Sequence, residues 1–137
     1  VKVFVDTSAF CALTIPKDQH NSLAKSFHKK FLKDRATFFT SNYVLDEVYT
    51  LLKMRSSHST AVKFMDQMEK SNITILRVTE DIEKSSRAIF KRFQDRRLSF
   101  TDCTSFALID QANIEAVFAF DEHFKYHPYK KPVKFLG

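Results

Sequence analysis

A chain of 137 residues with 44% hydrophobic and 28% charged residues has the balance of a folded domain and excludes a disordered segment. Its single glycine is Gly137, which excludes a phosphate-binding P-loop, a G-x-G-x-x-G dinucleotide turn and a G-x-S-x-G nucleophile elbow, since each needs internal glycines. Lys and Arg number 22 against 16 Asp and Glu, a net charge of +6 that suits a polyanionic partner and equally a lysine-rich solvated surface.

Val1 to Val5 is β-branched and aromatic, and is expected to form a buried strand that stops at Asp6. Ser8 to Ile15 has helical apolar spacing, and Pro16 ends it. Gln19 to Asp34 reads as a second helix with Leu23, Phe27, Phe31 and Leu32 on one stripe, followed by a short strand from Ala36 to Thr40. Ser41 or Asn42 can cap a helix running to about Arg55, and Ser57 or Ser59 a further one carrying Ala61, Val62, Met65 and Met68. Ile73 to Val78 is the third strand. Thr79, followed by Glu80, Asp81 and Glu83, starts a helix with acids on its positive end, reaching roughly Arg96. A helix from Thr101 to near Asn113, a strand from Ala116 to Phe120 and a short edge strand from Val133 to Leu136 complete the chain.

Short apolar strands alternating with helices predict an α/β fold. Residues 1–137 are expected to form one domain with a central parallel sheet of four to five strands and helices on both faces. Such sheets bind ligands outside the carboxyl ends of their strands. With no internal glycine, turns are expected to rely on Asn, Asp, Ser, Lys and His. Cys11 and Cys103 lack the spacing of a zinc site and read as two buried, reduced thiols. No apolar run approaches the ~18 residues of a membrane span, and Val1 to Val5 is too short for a signal peptide, so a cytoplasmic protein is expected.

The carboxylates separate by their surroundings. Asp6 and Asp121 each follow a buried strand, where an aspartate caps a helix or lines a site. Glu47 falls among Val44, Val48 and Leu51 on an apolar helix face that Tyr43 and Met54 widen, while Asp46 points to solvent. An acid there is costly unless it is paired or bound to a metal. Asp102 suits a capping box with Ser99, yet it also shares a stripe with Phe106 and Ile109 and should face inward. Asp34, Glu69, Glu80, Glu83 and Asp95 lie in polar stretches and read as solvated. Carboxylates converging on one point repel unless a cation lies between them. Oxygen donors without thiolate favour Mg²⁺ or Mn²⁺, and such a site in a basic protein suits phosphodiester hydrolysis.

Four segments in order, Val3 to Phe10, Asp46-Glu47-Val48, Leu98 to Ala107 and Phe118 to Phe124, resemble a PIN-domain ribonuclease, most closely the VapC-type toxins of prokaryotic toxin–antitoxin pairs. The resemblance implies a three-layer α/β/α sandwich and an Mg²⁺- or Mn²⁺-dependent endoribonuclease. It also implies an RNA substrate and a small antitoxin protein as partner, and it leaves room for a homodimer. Carried over, Asp6, Glu47, Asp102 and Asp121 form the catalytic, metal-binding set, with Thr7, Ser8, Thr101 and Glu122 in support. The family often has Thr or Ser two residues before the last acid. Ala119 stands there instead, and Glu122 is an alternative to Asp121 as the more direct ligand.

His123, Arg97 and Lys125 are candidates to touch substrate phosphate. His123 and His127 are spaced to share a helix face, but without an H-E-x-x-H context they do not make a zinc pair. Most of the 15 phenylalanines read as core, with Phe10 and Phe124 as candidates at the substrate. Two rivals keep the fold: a housekeeping RNA-processing nuclease, and a silent domain that binds RNA or a partner. Transfer through an aspartyl-phosphate wants a second aspartate where Ser8 stands.

Overall fold

Val3, Phe4 and Val5 have no polar alternation because both faces of the strand they form, β1 (Lys2–Val5), are covered. The computed structural model describes residues 1–94 and 96–136, so the solvated reading of Asp95 lies outside the described residues. After β1 come α1 (Thr7–Thr14), α2 (Asn21–Lys33), β2 (Thr37–Ser41), α3 (Asn42–Arg55), α4 (His58–Lys70) and β3 (Thr74–Leu76). Next are α5 (Glu80–Arg92), α6 (Phe100–Ala112), β4 (Ala116–Phe118), a 3-10 helix (Glu122–Lys125) and β5 (Lys134–Leu136).

The strands form a parallel five-stranded sheet in the order β3-β2-β1-β4-β5, flanked by the six α-helices, which is the α/β architecture expected. The chain winds outward from β1 through β2 to β3, then crosses back to β4 on the other side of β1. Winding therefore reverses between β1 and β4, and the crevice at their carboxyl ends is where open α/β sheets take ligands. Both strand ends are pinned there. The Asp6 N–H donates to the Phe118 carbonyl at 3.0 Å, and Thr40 Oγ1, buried on β2, donates to the Val5 carbonyl at 2.9 Å. Phe31 of α2 packs edge-on to Phe38 and against Phe118 (ring centres 5.9 and 5.3 Å apart), and the Phe10 ring meets Phe64 at 5.4 Å.

Helix starts follow the capping residues. The side chains of Ser41, Ser57, Thr79 and Ser99 accept backbone N–H bonds at the starts of α3, α4, α5 and α6. Asn42, the alternative cap, instead accepts the Val78 N–H at 2.8 Å and ties the end of β3 to α3.

Several boundaries and faces differ from the sequence reading. On α2 the buried stripe is Ala24 and Phe31, and Leu23 and Leu32 are exposed. On α3 it is Val44, Leu45, Val48 and Leu52, so the buried face is turned toward Leu45 and away from Met54, which is 77% exposed. α5 stops at Arg92 because Phe93 leaves helical geometry (φ −99°, ψ 51°) and packs against the core. β4 stops at Phe118 because the Phe120 N–H turns to the Ser8 hydroxyl. Glu83, expected in solvent, is half-buried and accepts the Tyr43 hydroxyl at 2.9 Å. The turn after α2 uses an unexpected residue: Arg35 stands at φ 54°, while the Ala36 N–H reaches back to the Phe31 carbonyl at 3.0 Å. Cys11 and Cys103 are buried and unpaired, as expected.

Candidate metal centre

Asp6 closes β1 and caps α1, and the cap geometry aims its carboxylate back at the chain. Oδ2 accepts the Ser8 N–H at 3.2 Å and the Ser8 hydroxyl at 2.9 Å. The Ser8 oxygen in turn accepts the Phe120 N–H at 2.9 Å, so one hydroxyl joins the end of β1 to the segment leaving β4. Asp6 is 4% exposed. Burial pushes its carboxyl up to about 7, the charge of Asp102 adds to this, and the bonds from Ser8 oppose it.

Asp102 sits in the first turn of α6, in a capping box. Its N–H donates to Ser99 Oγ at 3.0 Å, and its Oδ2 accepts the Ser99 N–H at 3.1 Å. Capping and inward placement hold at once: the residue is 8% exposed, and burial raises its pKa against the opposing bonds from Ser99 and His123. Asp121 caps the 3-10 helix, its Oδ1 accepting the His123 N–H at 3.0 Å. This turn brings His123 Nδ1 to 3.1 Å from Asp121 Oδ1 and 3.2 Å from Asp102 Oδ2. One donor atom from each of Asp102, Asp121 and His123 thus lies within 4.8 Å of the others.

Asp6 and Glu47 stand outside that trio. The charges of both reach Cys11. Its thiol is pushed up to about 11, chiefly by burial, with Arg55 opposing and the charges of Asp18, Asp6 and Glu47 adding. Glu47 is half-buried on α3, and Asp46 is exposed as expected. Of the two candidate hydroxyls, Ser8 holds Asp6, whereas Thr7 Oγ1 is buried without a hydrogen-bond partner. Thr101 is half-buried and uses its carbonyl to accept the Thr104 hydroxyl at 2.6 Å. Glu122, Arg97 and Lys125 are exposed, and Glu122 and Lys125 line a hollow with Asp121.

Three expectations fail on packing. Phe10 (5% exposed) and Phe124 (1%) are core residues rather than substrate contacts, and Phe124 packs edge-on to Phe106 at 5.4 Å. His127 does not share a face with His123, because the 3-10 helix ends at Lys125. His127 instead stacks on Phe106 at 5.2 Å and bonds Asp110 at 2.8 Å. Sequence reasoning also missed Arg55, His20 and Tyr126, which line an open hollow with Ser8, Asp121 and His123. His20 lies flat on Phe120 (4.5 Å, 2°), and the Arg96 guanidinium lies 4.4 Å from the Tyr126 ring centre. No spacing signals these contacts, which join residues distant in sequence.

Among the described residues, no Lys or Arg forms an ion pair with Asp6, Asp102 or Asp121; His123 alone faces the last two. Buried carboxylates left without a fixed cation call for a mobile one. The donor set is carboxylate oxygen with one imidazole and no thiolate, which fits a hard to borderline divalent ion.

A doubly wound parallel sheet with carboxylates gathered at its switch point is the class of α/β protein that the fold and site define. Within it, the chain belongs to the PIN domain family, whose model matches residues 3–128. It is 34% identical over 122 residues, 89% of this chain and 91% of the relative, to the 23S rRNA-specific endonuclease VapC20 of Mycobacterium tuberculosis. The crystal structure of that organism's VapC20, described as a sarcin-ricin loop cleaving toxin, superposes with a TM-score of 0.83 at 31% identity, covering 93% of this chain and 95% of that one. VapBC2 from Rickettsia felis, solved with a promoter DNA fragment, shares the fold at a TM-score of 0.74 and 11% identity, with both chains fully covered.

Proposed function

We propose that this chain is a divalent-metal-dependent endoribonuclease that acts as the toxin of a toxin–antitoxin pair. The observation that carries the reading is the pair of buried acids, Asp6 and Asp102, at the switch point with no Lys or Arg ion pair to either among the described residues. Kinship at 34% identity with an rRNA endonuclease, and at 31% with a structure described as a toxin, supports it.

Asp6, Glu47, Asp102 and Asp121 are the residues that would hold Mg²⁺ or Mn²⁺. When bound, such an ion lowers the pKa of water and offsets charge on a phosphate undergoing in-line displacement. The chain's own residues supply the rest. Ser8 holds the Asp6 carboxylate in one orientation through its hydroxyl and N–H. Asp6, held up to about 7 in the ion-free protein, must give up its proton to act as a ligand. Asp102 is fixed by its capping box, and Asp121 by the turn it caps. Arg55, Arg97 and Lys125 offer positive charge to the flanking RNA backbone. Residues 1–137 act as one nuclease domain in the cytoplasm, and a small antitoxin protein is the natural inhibitor.

The test has two arms. Purified protein should cleave RNA with Mg²⁺ or Mn²⁺, and both excess EDTA and Asp6→Asn should abolish cleavage while the circular dichroism spectrum is unchanged. Expression should arrest growth, and co-expression of the adjacent small gene should relieve it. Cleavage retained by the Asp6 variant contradicts the mechanism; growth unaffected by active enzyme contradicts the toxin role.

A further inference from the structure

The acids account for an oxygen-ligated ion, yet the one side chain that faces both Asp102 and Asp121 among the described residues offers a nitrogen. His123 Nδ1 lies 3.2 Å from Asp102 Oδ2 and 3.1 Å from Asp121 Oδ1. In an octahedral shell with metal–ligand bonds of about 2.1–2.2 Å, neighbouring donors lie √2 times that apart, about 3.0–3.1 Å. The nitrogen therefore stands from each carboxylate oxygen at the spacing of adjacent ligands on one ion.

The ring is held there by its own chain. The His123 N–H is bound to Asp121 Oδ1 at 3.0 Å, which fixes the turn. The next residue, Phe124, is buried against Phe106 of α6, the helix that carries Asp102. Because of that packing, α6 and the 3-10 helix present nitrogen and oxygen donors to the same point. His123 is also partly open to solvent (28% of its side chain), so an ion can reach it.

We infer that His123 is a direct ligand of the metal centre and gives it a preference for Mn²⁺ over Mg²⁺. This rests on the metal-nuclease reading and adds a residue and an ion selectivity to it. Mg²⁺ is a hard ion that sheds water reluctantly and is bound through carboxylates and retained waters. An imidazole contributes little to it. Mn²⁺ stands at the weak end of the transition series, but it is larger and softer than Mg²⁺ and gives up water for an imidazole more readily, so a mixed oxygen–nitrogen set favours it over Mg²⁺.

The experiment uses the full chain and Mn²⁺ itself. Pulsed electron paramagnetic resonance of the Mn²⁺-loaded protein should show nitrogen-14 coupling from a directly bound imidazole, and His123→Asn should lose that coupling while still binding Mn²⁺. Calorimetric titration should show Mn²⁺ affinity falling by at least about tenfold in the variant, the loss already typical of removing a metal ligand's outer partner. Mg²⁺ affinity should fall much less, narrowing the Mn²⁺-to-Mg²⁺ ratio. Thermal melting of the ion-free variant checks that it folds, and His123→Gln serves as a second variant if it does not. Wild-type protein that binds Mn²⁺ without nitrogen coupling, or equal losses for both ions, overturns the role of His123 and leaves the nuclease reading standing. Wild-type protein that binds neither ion overturns both.

Discussion

Replacing Asp6 by Asn should stabilise the ion-free protein at neutral pH, an unusual expectation for a buried polar residue at the centre of a site. The carboxyl has a pKa of about 7 in the folded chain against an ordinary value of 3.8, because it is buried and lies near Asp102. The folded pKa is raised, so between pH 4 and pH 7 the folded state holds a proton that the unfolded state has released. Stability contributed by that proton is complete below the unfolded value and is lost as the pH rises through the folded one. A gap of about 3 units corresponds to roughly 4 kcal/mol at most. Asn keeps an oxygen for the Ser8 N–H and hydroxyl, is itself a good helix cap, and carries no charge to desolvate. The stability difference between Asp6→Asn and wild type should therefore be near zero at pH 4 and grow to as much as about 4 kcal/mol by pH 8. At roughly 3–4 °C per kcal/mol for a domain of this size, that is on the order of 10 °C in melting temperature. Urea and thermal unfolding of both proteins in EDTA across this range would measure it. Added Mn²⁺ should reverse the order, since only the wild type keeps the full ligand set. An Asn variant less stable than wild type at pH 8 in EDTA, or a difference that does not change with pH, would refute the reasoning.

Two further substitutions probe the scaffold around the site. Ser8→Ala removes the hydroxyl that joins Asp6 to the Phe120 N–H; it should cost about 1–3 kcal/mol by urea unfolding and weaken Mn²⁺ binding by titration. Unchanged values for both would mean that the bridge is incidental. Arg35→Gly relieves a side chain at φ 54° and should stabilise the fold by about 1 kcal/mol, read as a rise of roughly 3 °C in melting temperature. A fall would show that the arginine makes contacts worth more than its backbone cost.

Much of the candidate site was legible because its proposed acids sit at punctuation marks of the chain. Asp6 closes an apolar strand, Asp121 follows one by three residues, and Asp102 lies three residues after a serine cap; those patterns are local and survive folding. The strand–helix alternation announced the parallel sheet for the same reason. What failed was geometry set by tertiary packing. The stripe on α3 is turned toward Leu45 because that helix packs between α1, α4 and α6, and an ideal wheel drawn from the sequence alone does not contain those neighbours. Phe10 and Phe124 lie within four residues of Asp6 and Asp121 in sequence but are packed into the core. His123 and His127 looked like one helical face only while the segment was read as a regular helix. The 3-10 turn after Asp121 separates them, sending one ring to the carboxylates and the other onto Phe106. The absence of internal glycine did not reveal that an arginine would take a left-handed turn.

The central claim is that clustered carboxylates, rather than a side-chain base and the RNA's own 2′-hydroxyl, drive phosphodiester cleavage. Its most direct test is the chemistry of the ends left on a labelled RNA by wild-type protein and by Asp102→Asn, with Mn²⁺ and with EDTA. Metal-assisted attack by water should leave 5′-phosphate and 3′-hydroxyl ends with the wild type in Mn²⁺, and no products with EDTA or the variant. Cleavage that persists in EDTA, or products ending in 2′,3′-cyclic phosphate, would contradict it.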